Sequence, residues 1–193
     1  MRAFGIVGNC RGKNRLVPRI VAELNDKGMR VSTLKRVGDD VDLDRPGKAS
    51  HALREAGARE VMIANAFRSA IMTEYRSPDE PEVDALLERM SPVDLVIVEG
   101  FHLSPYPKCE IVLDGQDRRP NYPDDPSIVA LVTDTTLATS LPQFAPDAVE
   151  ELAAFIAAAA LDTGENPASS RPYDGQVHRE QSARRNGPER IVA

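Results

Sequence analysis

The feature that most constrains this chain is residues 4–16, FGIVGNCRGKNRL, where an apolar segment runs into a glycine-bearing turn and then into an amphipathic segment. Strand, tight loop and helix N-terminus in this order are typical of a phosphate-binding loop, in which backbone N–H groups face an anion. We therefore predict a phosphate site here, with Lys13 reaching the outer phosphates. Its candidate residues are Gly8, Asn9, Cys10, Arg11, Gly12, Lys13 and Asn14.

The loop departs from the usual motif in two ways. Gly8 and Gly12 enclose only Asn9, Cys10 and Arg11, whereas the motif has four residues between its first glycine and the Gly-Lys pair. Asn14 stands where a Ser or Thr hydroxyl normally binds Mg²⁺, and its amide oxygen is a candidate metal ligand instead. The motif alone leaves open a second interpretation, an ordinary strand-to-helix turn whose glycines serve tight packing.

Composition narrows the function classes. A length of 193 residues fits one domain, and 41% hydrophobic with 28% charged residues is ordinary for a soluble protein. The net charge of −6 argues against general nucleic-acid binding, which needs a basic face. No apolar run has membrane-spanning length, and the N-terminus enters a strand almost at once, so we expect neither a membrane segment nor a signal peptide. Two distant cysteines favour no disulfide, and we expect a cytoplasmic protein.

Hydrophobic periodicity predicts an alternating α/β chain. Strand, helix and strand at the start form a βαβ unit, whose strands should be parallel with a right-handed crossover. Two short apolar segments at 60–65 and 70–75 predict an antiparallel hairpin attached to this sheet. The predicted strands are 3–7, 29–34, 60–65, 70–75, 94–101, 107–113 and 127–132, and the predicted helices are 14–27, 48–57, 82–90 and 147–161.

The segment 94–101, DLVIVEGF, is the strongest predicted strand, and its continuous apolar run fits a central parallel strand. Its carboxyl end delivers Glu99 and Gly100. Ligands of open α/β sheets bind beyond the carboxyl ends of the strands, where the glycine loop also lies. We therefore expect Glu99 and Lys13 to meet in one crevice, with Glu99 as the candidate catalytic and Mg²⁺-binding acid; the alternative is a helix-capping or ion-pair role.

Three further segments carry weaker signals. The acidic loop 35–48 is either a solvated loop or one that approaches a nucleotide or Mg²⁺ beside the first strand. Asp134 ends a predicted strand as the base-reading aspartate does in many guanine-nucleotide proteins, although the Asn-Lys that normally precedes it is absent. Residues 162–193 are rich in Pro, Gly, Ser, Asn and Arg, and predict a disordered tail that follows a folded domain at 1–161.

Four segments together resemble the MobB family, the molybdopterin-guanine dinucleotide biosynthesis protein B. They are DLDRPGKAS at 42–50, REAGA at 54–58, AIMTE at 70–74 and VEGF at 98–101. The resemblance implies a P-loop NTPase-like three-layer α/β fold, with a mostly parallel sheet and an antiparallel hairpin. It also implies GTP and Mg²⁺ binding, weak GTPase activity, a homodimer, and a role beside the guanylyltransferase that attaches GMP to molybdopterin.

Carried over by position, the resemblance gives phosphate contacts to Gly8, Gly12, Lys13 and Asn14, and Mg²⁺ to Glu99. Lys35 and the loop ending at Ser50 would lie near the nucleotide or the dimer face. The family's histidines after Lys35 are missing, and His102 and Ser69 replace a lysine and an aromatic residue. These departures favour an alternative, a degenerate paralogue that keeps the fold as an adapter or cofactor-binding module without hydrolysis. A small-molecule kinase is a weaker alternative, because no segment resembles a catalytic lid.

Overall fold

A computed structural model describes residues 1–75, 81–115 and 119–163 of the chain. The predicted tail therefore lies, from residue 164 onward, outside the described residues. The elements in chain order are β1 (Arg2–Gly8), α1 (Cys10–Asp26), β2 (Val31–Lys35), α2 (Ala49–Glu55), β3 (Glu60–Ala64), β4 (Ser69–Thr73), α3 (Val83–Leu87), β5 (Leu95–Glu99), β6 (Lys108–Val112), β7 (Ile128–Thr133), β8 (Gln143–Phe144), α4 (Val149–Ala159) and β9 (Leu161–Asp162).

The central sheet has the strand order β2, β5, β1, β6, β7, β8, and all neighbours in this order pair in parallel. β9 pairs antiparallel with the start of β1, where Arg2 faces Asp162. β5 and β6 are buried along their whole length, as expected for strands covered on both faces. The predicted mostly parallel sheet is confirmed, and all its parallel strands end at one edge.

Helices cover both faces of the sheet and complete three layers. α1 and α4 pack together on one face, and α3 packs on the other. The apolar face predicted for α1 is confirmed, because Leu16, Ile20 and Leu24 are buried. They join a core that also contains Phe4, Ile6, Leu95, Ile97, Ile111, Leu152 and Ile156.

The hairpin of β3 and β4 is confirmed, but its predicted attachment to the main sheet is wrong. The two strands form a separate two-stranded sheet, from Glu60 opposite Thr73 to Ala64 opposite Ser69. Side chains link it to the rest of the chain instead: Arg54 binds Glu74, and Arg89 binds Glu60. The sequence shows that two segments can pair, but not which sheet edge they join.

Helix α1 begins four residues before its predicted start at residue 14. Asn9 caps the helix, because its side-chain oxygen accepts a hydrogen bond from the Gly12 N–H at 2.8 Å. Gly12, Lys13 and Asn14 therefore lie in the helix and not in a loop. The other predicted elements are present within a few residues of their predicted bounds, and the two-residue strands β8 and β9 were not predicted.

Candidate functional site

The candidate site lies at the edge of the sheet where β1, β2 and β5 end. Lys35 is the last residue of β2 and Glu99 the last of β5, and the two are opposite each other in the parallel register. Lys13 reaches this edge from α1, since its Nζ lies 3.6 Å from the position that a Cβ on Gly100 would occupy. The structure therefore brings Lys13 close to the segment that carries Glu99, as the strand order requires.

Lys13 is nearly buried, and no described residue pairs with its ammonium. Only 6% of the residue is exposed, and within the described residues its ammonium makes no hydrogen bond or ion pair. A buried ammonium without a counterion is unfavourable, so its position favours a site that an anion completes. Among the described residues, this is the strongest structural argument for an anion site.

Glu99 and Asn14 both contact Lys35. The Lys35 Nζ lies 3.0 Å from Glu99 Oε1 and donates a hydrogen bond to Asn14 Oδ1 at 2.8 Å. The Glu99 side chain is 7% exposed and that of Lys35 is 46% exposed. Glu99 is thus in the ion-pair role that the sequence left as an alternative. The two predicted Mg²⁺ ligands face an ammonium, so the residues as arranged do not fit a divalent cation between them.

Hydrogen bonds and close packing on β6 fix the position of the glycine loop. The Asn9 N–H donates to the Ile111 carbonyl at 3.0 Å, and the Gly12 N–H donates to the Asn9 side chain. Gly8 has a φ of +94°, and a Cβ there would lie 2.4 Å from the Ile111 oxygen. These glycines serve close packing on β6, and two of the amides expected to face phosphate are engaged within the chain. Cys10 and Arg11, the first two residues of α1, are exposed.

A cavity of about 540 Å³ opens on the other side of the α1 N-terminus, toward the ends of β6 and β7. Arg15 and Arg19 follow Arg11 at four-residue spacing and line it, although the sequence reasoning did not single them out. Asp134 lines it as well, and its Oδ1 accepts a hydrogen bond from the Asp114 N–H at 2.8 Å. The lining residues are Asn9, Arg11, Gly12, Arg15, Leu16, Arg19, Ile111, Leu113, Asp114, Gly115, Val132, Asp134, Pro146 and Asp147.

The acidic loop is fastened to the hairpin through Arg54. This side chain contacts Asp42, Asp44 and Glu74. Burial alone would raise the pKa of Asp44, but hydrogen bonds from Ser50, the Arg45 N–H and Arg54 outweigh it and lower the pKa. A groove of about 950 Å³ runs from Lys35 past this loop to β4. The loop thus lies between the candidate site and the hairpin.

In the described residues, 1–75, 81–115 and 119–163, no cluster of three or more His, Cys, Asp or Glu residues is arranged to hold a metal ion. Among the same residues, no helix combines the length and the hydropathy needed to cross a bilayer.

Fold and site together define an α/β protein of the P-loop NTPase-like type, with a lysine from the first helix beside an acid at the end of a neighbouring strand. The chain belongs to the MobB family: the family model described as "Molybdopterin guanine dinucleotide synthesis protein B" matches residues 3–134. The predicted family resemblance is therefore confirmed.

Relatives and solved structures agree with this assignment. The "Molybdopterin-guanine dinucleotide biosynthesis adapter protein" of Escherichia coli K12 is 36% identical over 150 residues, which cover 75% of this chain and 85% of that protein. The protein of the same name from Haemophilus influenzae is 33% identical over 157 residues, covering 79% and 86%. A crystal structure of molybdopterin-guanine biosynthesis protein B superposes with a TM-score of 0.64 at 28% identity, covering 81% of this chain and 98% of that one.

Proposed function

We propose that this chain is a GTP-binding adapter protein of molybdenum cofactor biosynthesis, which assists the guanylyltransferase that forms molybdopterin guanine dinucleotide. The observation that carries GTP binding is the Lys13 ammonium, 6% exposed and without a partner in the described part of the chain. The names of the relatives support the adapter role and the pathway.

In this proposal the triphosphate lies along the carboxyl edge of β1 and β5. Lys13 and the N-terminus of α1 supply positive potential, and exposed Arg11 adds a further cation at the loop. The base extends into the arginine-lined cavity, where Asp134 has one oxygen that accepts no hydrogen bond from the described residues. A carboxylate oxygen there can accept a hydrogen bond from the N–H groups of guanine.

Hydrolysis is weak or absent in this proposal. Asn9 and Gly12 amides already have partners inside the chain, so fewer backbone donors remain for developing charge on the phosphates. Glu99, the candidate catalytic acid, is engaged by Lys35. This observation favours the second candidate function, a degenerate paralogue that acts as an adapter or cofactor-binding module without hydrolysing nucleotide.

The hairpin supports a homodimer. Val61 is buried, but several other apolar side chains on and beside the hairpin are exposed, and an isolated two-stranded sheet is marginally stable in water. A second copy of this chain would cover them. The exposed apolar residues on and beside the hairpin are Met62, Ile63, Phe67, Ile71 and Tyr75. We expect light scattering to show a dimer for the native chain and a monomer for the double variant Phe67→Asp with Ile71→Asp. A monomeric native chain would contradict the proposal.

The proposed cellular location is the cytoplasm, and the free thiol of exposed Cys10 is consistent with a reducing compartment.

Calorimetric titration of GTP into the native chain tests the nucleotide proposal, with Lys13→Met as the variant. Lys27→Met is a matched control, because Lys27 directly follows the same helix but pairs with Glu23 and Glu150 at the surface. Of the two variants, we expect only Lys13→Met to weaken binding, by about 150-fold. No binding by the native chain at millimolar GTP would refute the proposal.

A partner assay tests the adapter role. The guanylyltransferase is supplied with molybdopterin and GTP, and dinucleotide formation is measured with and without this chain. We expect the chain to raise the yield or the rate. The same result with Lys13→Met would mean that the adapter role does not depend on nucleotide binding and would favour the second candidate function. No effect of the native chain would contradict the adapter role.

A further inference from the structure

Lys35 has a role in nucleotide binding that rests on the proposed function. In P-loop NTPases, Mg²⁺ is held by the residue after the loop lysine and by an acid on a neighbouring strand. Asn14 and Glu99 occupy these two positions here. Their oxygens converge on one atom of the protein, the Lys35 Nζ, at 2.8 Å and 3.0 Å.

The strand register fixes Lys35 in this place. Lys35 and Glu99 are partners at the ends of parallel β2 and β5, and the Arg36 N–H donates to the Glu99 carbonyl at 2.9 Å. Side chains at paired positions of neighbouring strands project to the same face of the sheet. The Glu99 carboxylate is nearly buried and needs a counterion, and Lys35 is the cation that the fold supplies.

The charges disagree with a divalent cation between Asn14 and Glu99. The Asn14 side-chain oxygen accepts a hydrogen bond from the Lys35 ammonium, and the Glu99 carboxylate is paired with the same ammonium. A cation could enter only if Lys35 left, because two positive centres would otherwise share one carboxylate. The negative charge of Glu99 is already neutralised by Lys35.

Lys35 retains capacity for a phosphate oxygen. An ammonium has three N–H donors, and the described residues accept from Lys35 only at Asn14 and Glu99. Its side chain is 46% exposed, so a ligand can reach it. Lys13 and Lys35 flank the end of β5 and outweigh the single negative charge of Glu99. The site therefore presents net positive charge to an anion before any metal binds.

We propose that the Lys35 ammonium takes the place of a divalent cation in this site, so that the chain binds the triphosphate of GTP without Mg²⁺. Lys35 bridges the Asn14 amide and the Glu99 carboxylate to a phosphate oxygen, as the metal does in P-loop NTPases. Metal-free binding suits an adapter that holds a nucleotide and does not cleave it.

The test is calorimetric titration of GTP into the full chain in excess Mg²⁺ and in excess EDTA. We expect the native dissociation constant to differ by less than about threefold between the two conditions. Lys35→Met should lose at least about tenfold in EDTA and recover much of this loss in Mg²⁺, because Asn14 and Glu99 are then free to bind the metal. Lys27→Met serves as the control and should behave as the native chain does.

A second variant covers the case in which Lys35→Met fails to fold because Glu99 is left buried and unpaired. Lys35→Met with Glu99→Gln removes both charges, and we expect weak binding with or without Mg²⁺. Native binding that weakens by more than about threefold in EDTA would overturn the metal substitution while leaving GTP binding intact. Tight binding in EDTA by either Lys35 variant would overturn the role of Lys35. Absence of native binding in both conditions would overturn the proposed function itself.

Discussion

Replacing Lys13 by methionine should stabilise the ligand-free protein against unfolding and weaken its binding to GTP. A buried polar group without a partner costs about 1–3 kcal/mol. Lys13 is 6% exposed, which lets some water reach it, so we take the low end of this range, about 1 kcal/mol. Methionine keeps an unbranched stem and removes the charge. For a domain of this size we expect the melting temperature of the free protein to rise by about 2–4 °C.

With GTP present, the same substitution should lower the stability of the protein relative to the native chain. Charge-assisted hydrogen bonds to phosphate contribute about 1.5–3 kcal/mol each, and the loss of two at the low end is about 3 kcal/mol. This corresponds to a dissociation constant weakened by about 150-fold. Saturating GTP should therefore raise the melting temperature of the native chain and leave that of Lys13→Met almost unchanged.

Urea unfolding followed by circular dichroism measures the first effect, and thermal melts with and without GTP measure the second. Lys27→Met is the control, because Lys27 is exposed and paired with Glu23 at 3.1 Å. If Lys13→Met destabilised the free protein by more than about 1 kcal/mol while Lys27→Met did not, Lys13 would not be an unpaired cation in the free protein. That result would assign the Lys13 ammonium a structural role within the chain.

Two further predictions concern the fold. Gly8→Ala should destabilise the protein by about 3 kcal/mol or more in urea unfolding, because a Cβ at φ +94° would meet the Ile111 oxygen at 2.4 Å. Gly28→Ala, at φ +83° with open space around it, should cost only about 1 kcal/mol, and equal losses would contradict the packing argument. The Arg30 side chain and its N–H lower the pKa of Asp94 from 3.8 to about 2. Their stabilisation is therefore complete above about pH 3.8 and lost toward pH 2, and Asp94→Asn should remove this part of the acid dependence in unfolding titrations.

Much of the fold follows from local patterns. β1 and β5 are continuous apolar runs, and α1 shows buried residues at helical spacing, so their existence does not depend on distant contacts. The parallel arrangement follows from the strand–helix–strand order, which permits few connections. The proximity of Lys13 and Glu99 was predictable for the same reason. Glu99 ends β5, Lys13 lies in the helix after β1, and the two strands end at one edge of the sheet.

The remaining features depend on contacts between distant segments. The α1 start depends on the Asn9 cap. The two-residue strand β8 pairs with β7, and β9 pairs with the first two residues of β1, so neither strand is defined by its own sequence alone. The hairpin pattern carries no information on which sheet it joins. Arg11, Arg15 and Arg19 share one side of a helix by spacing, but only the packed ends of β6 and β7 turn that side into a cavity wall.

The class of fold and the edge of the sheet where a site can form follow from hydrophobic periodicity and from the order of strands and helices along the chain, which are local properties. The family follows from the resemblance of four short segments. The contacts made at that edge depend on the tertiary structure. The register of β2 against β5 places Lys35 on Glu99, and the packing of Gly8 on Ile111 closes part of the loop. Both depend on residues far apart in the chain, whose contacts no single motif encodes.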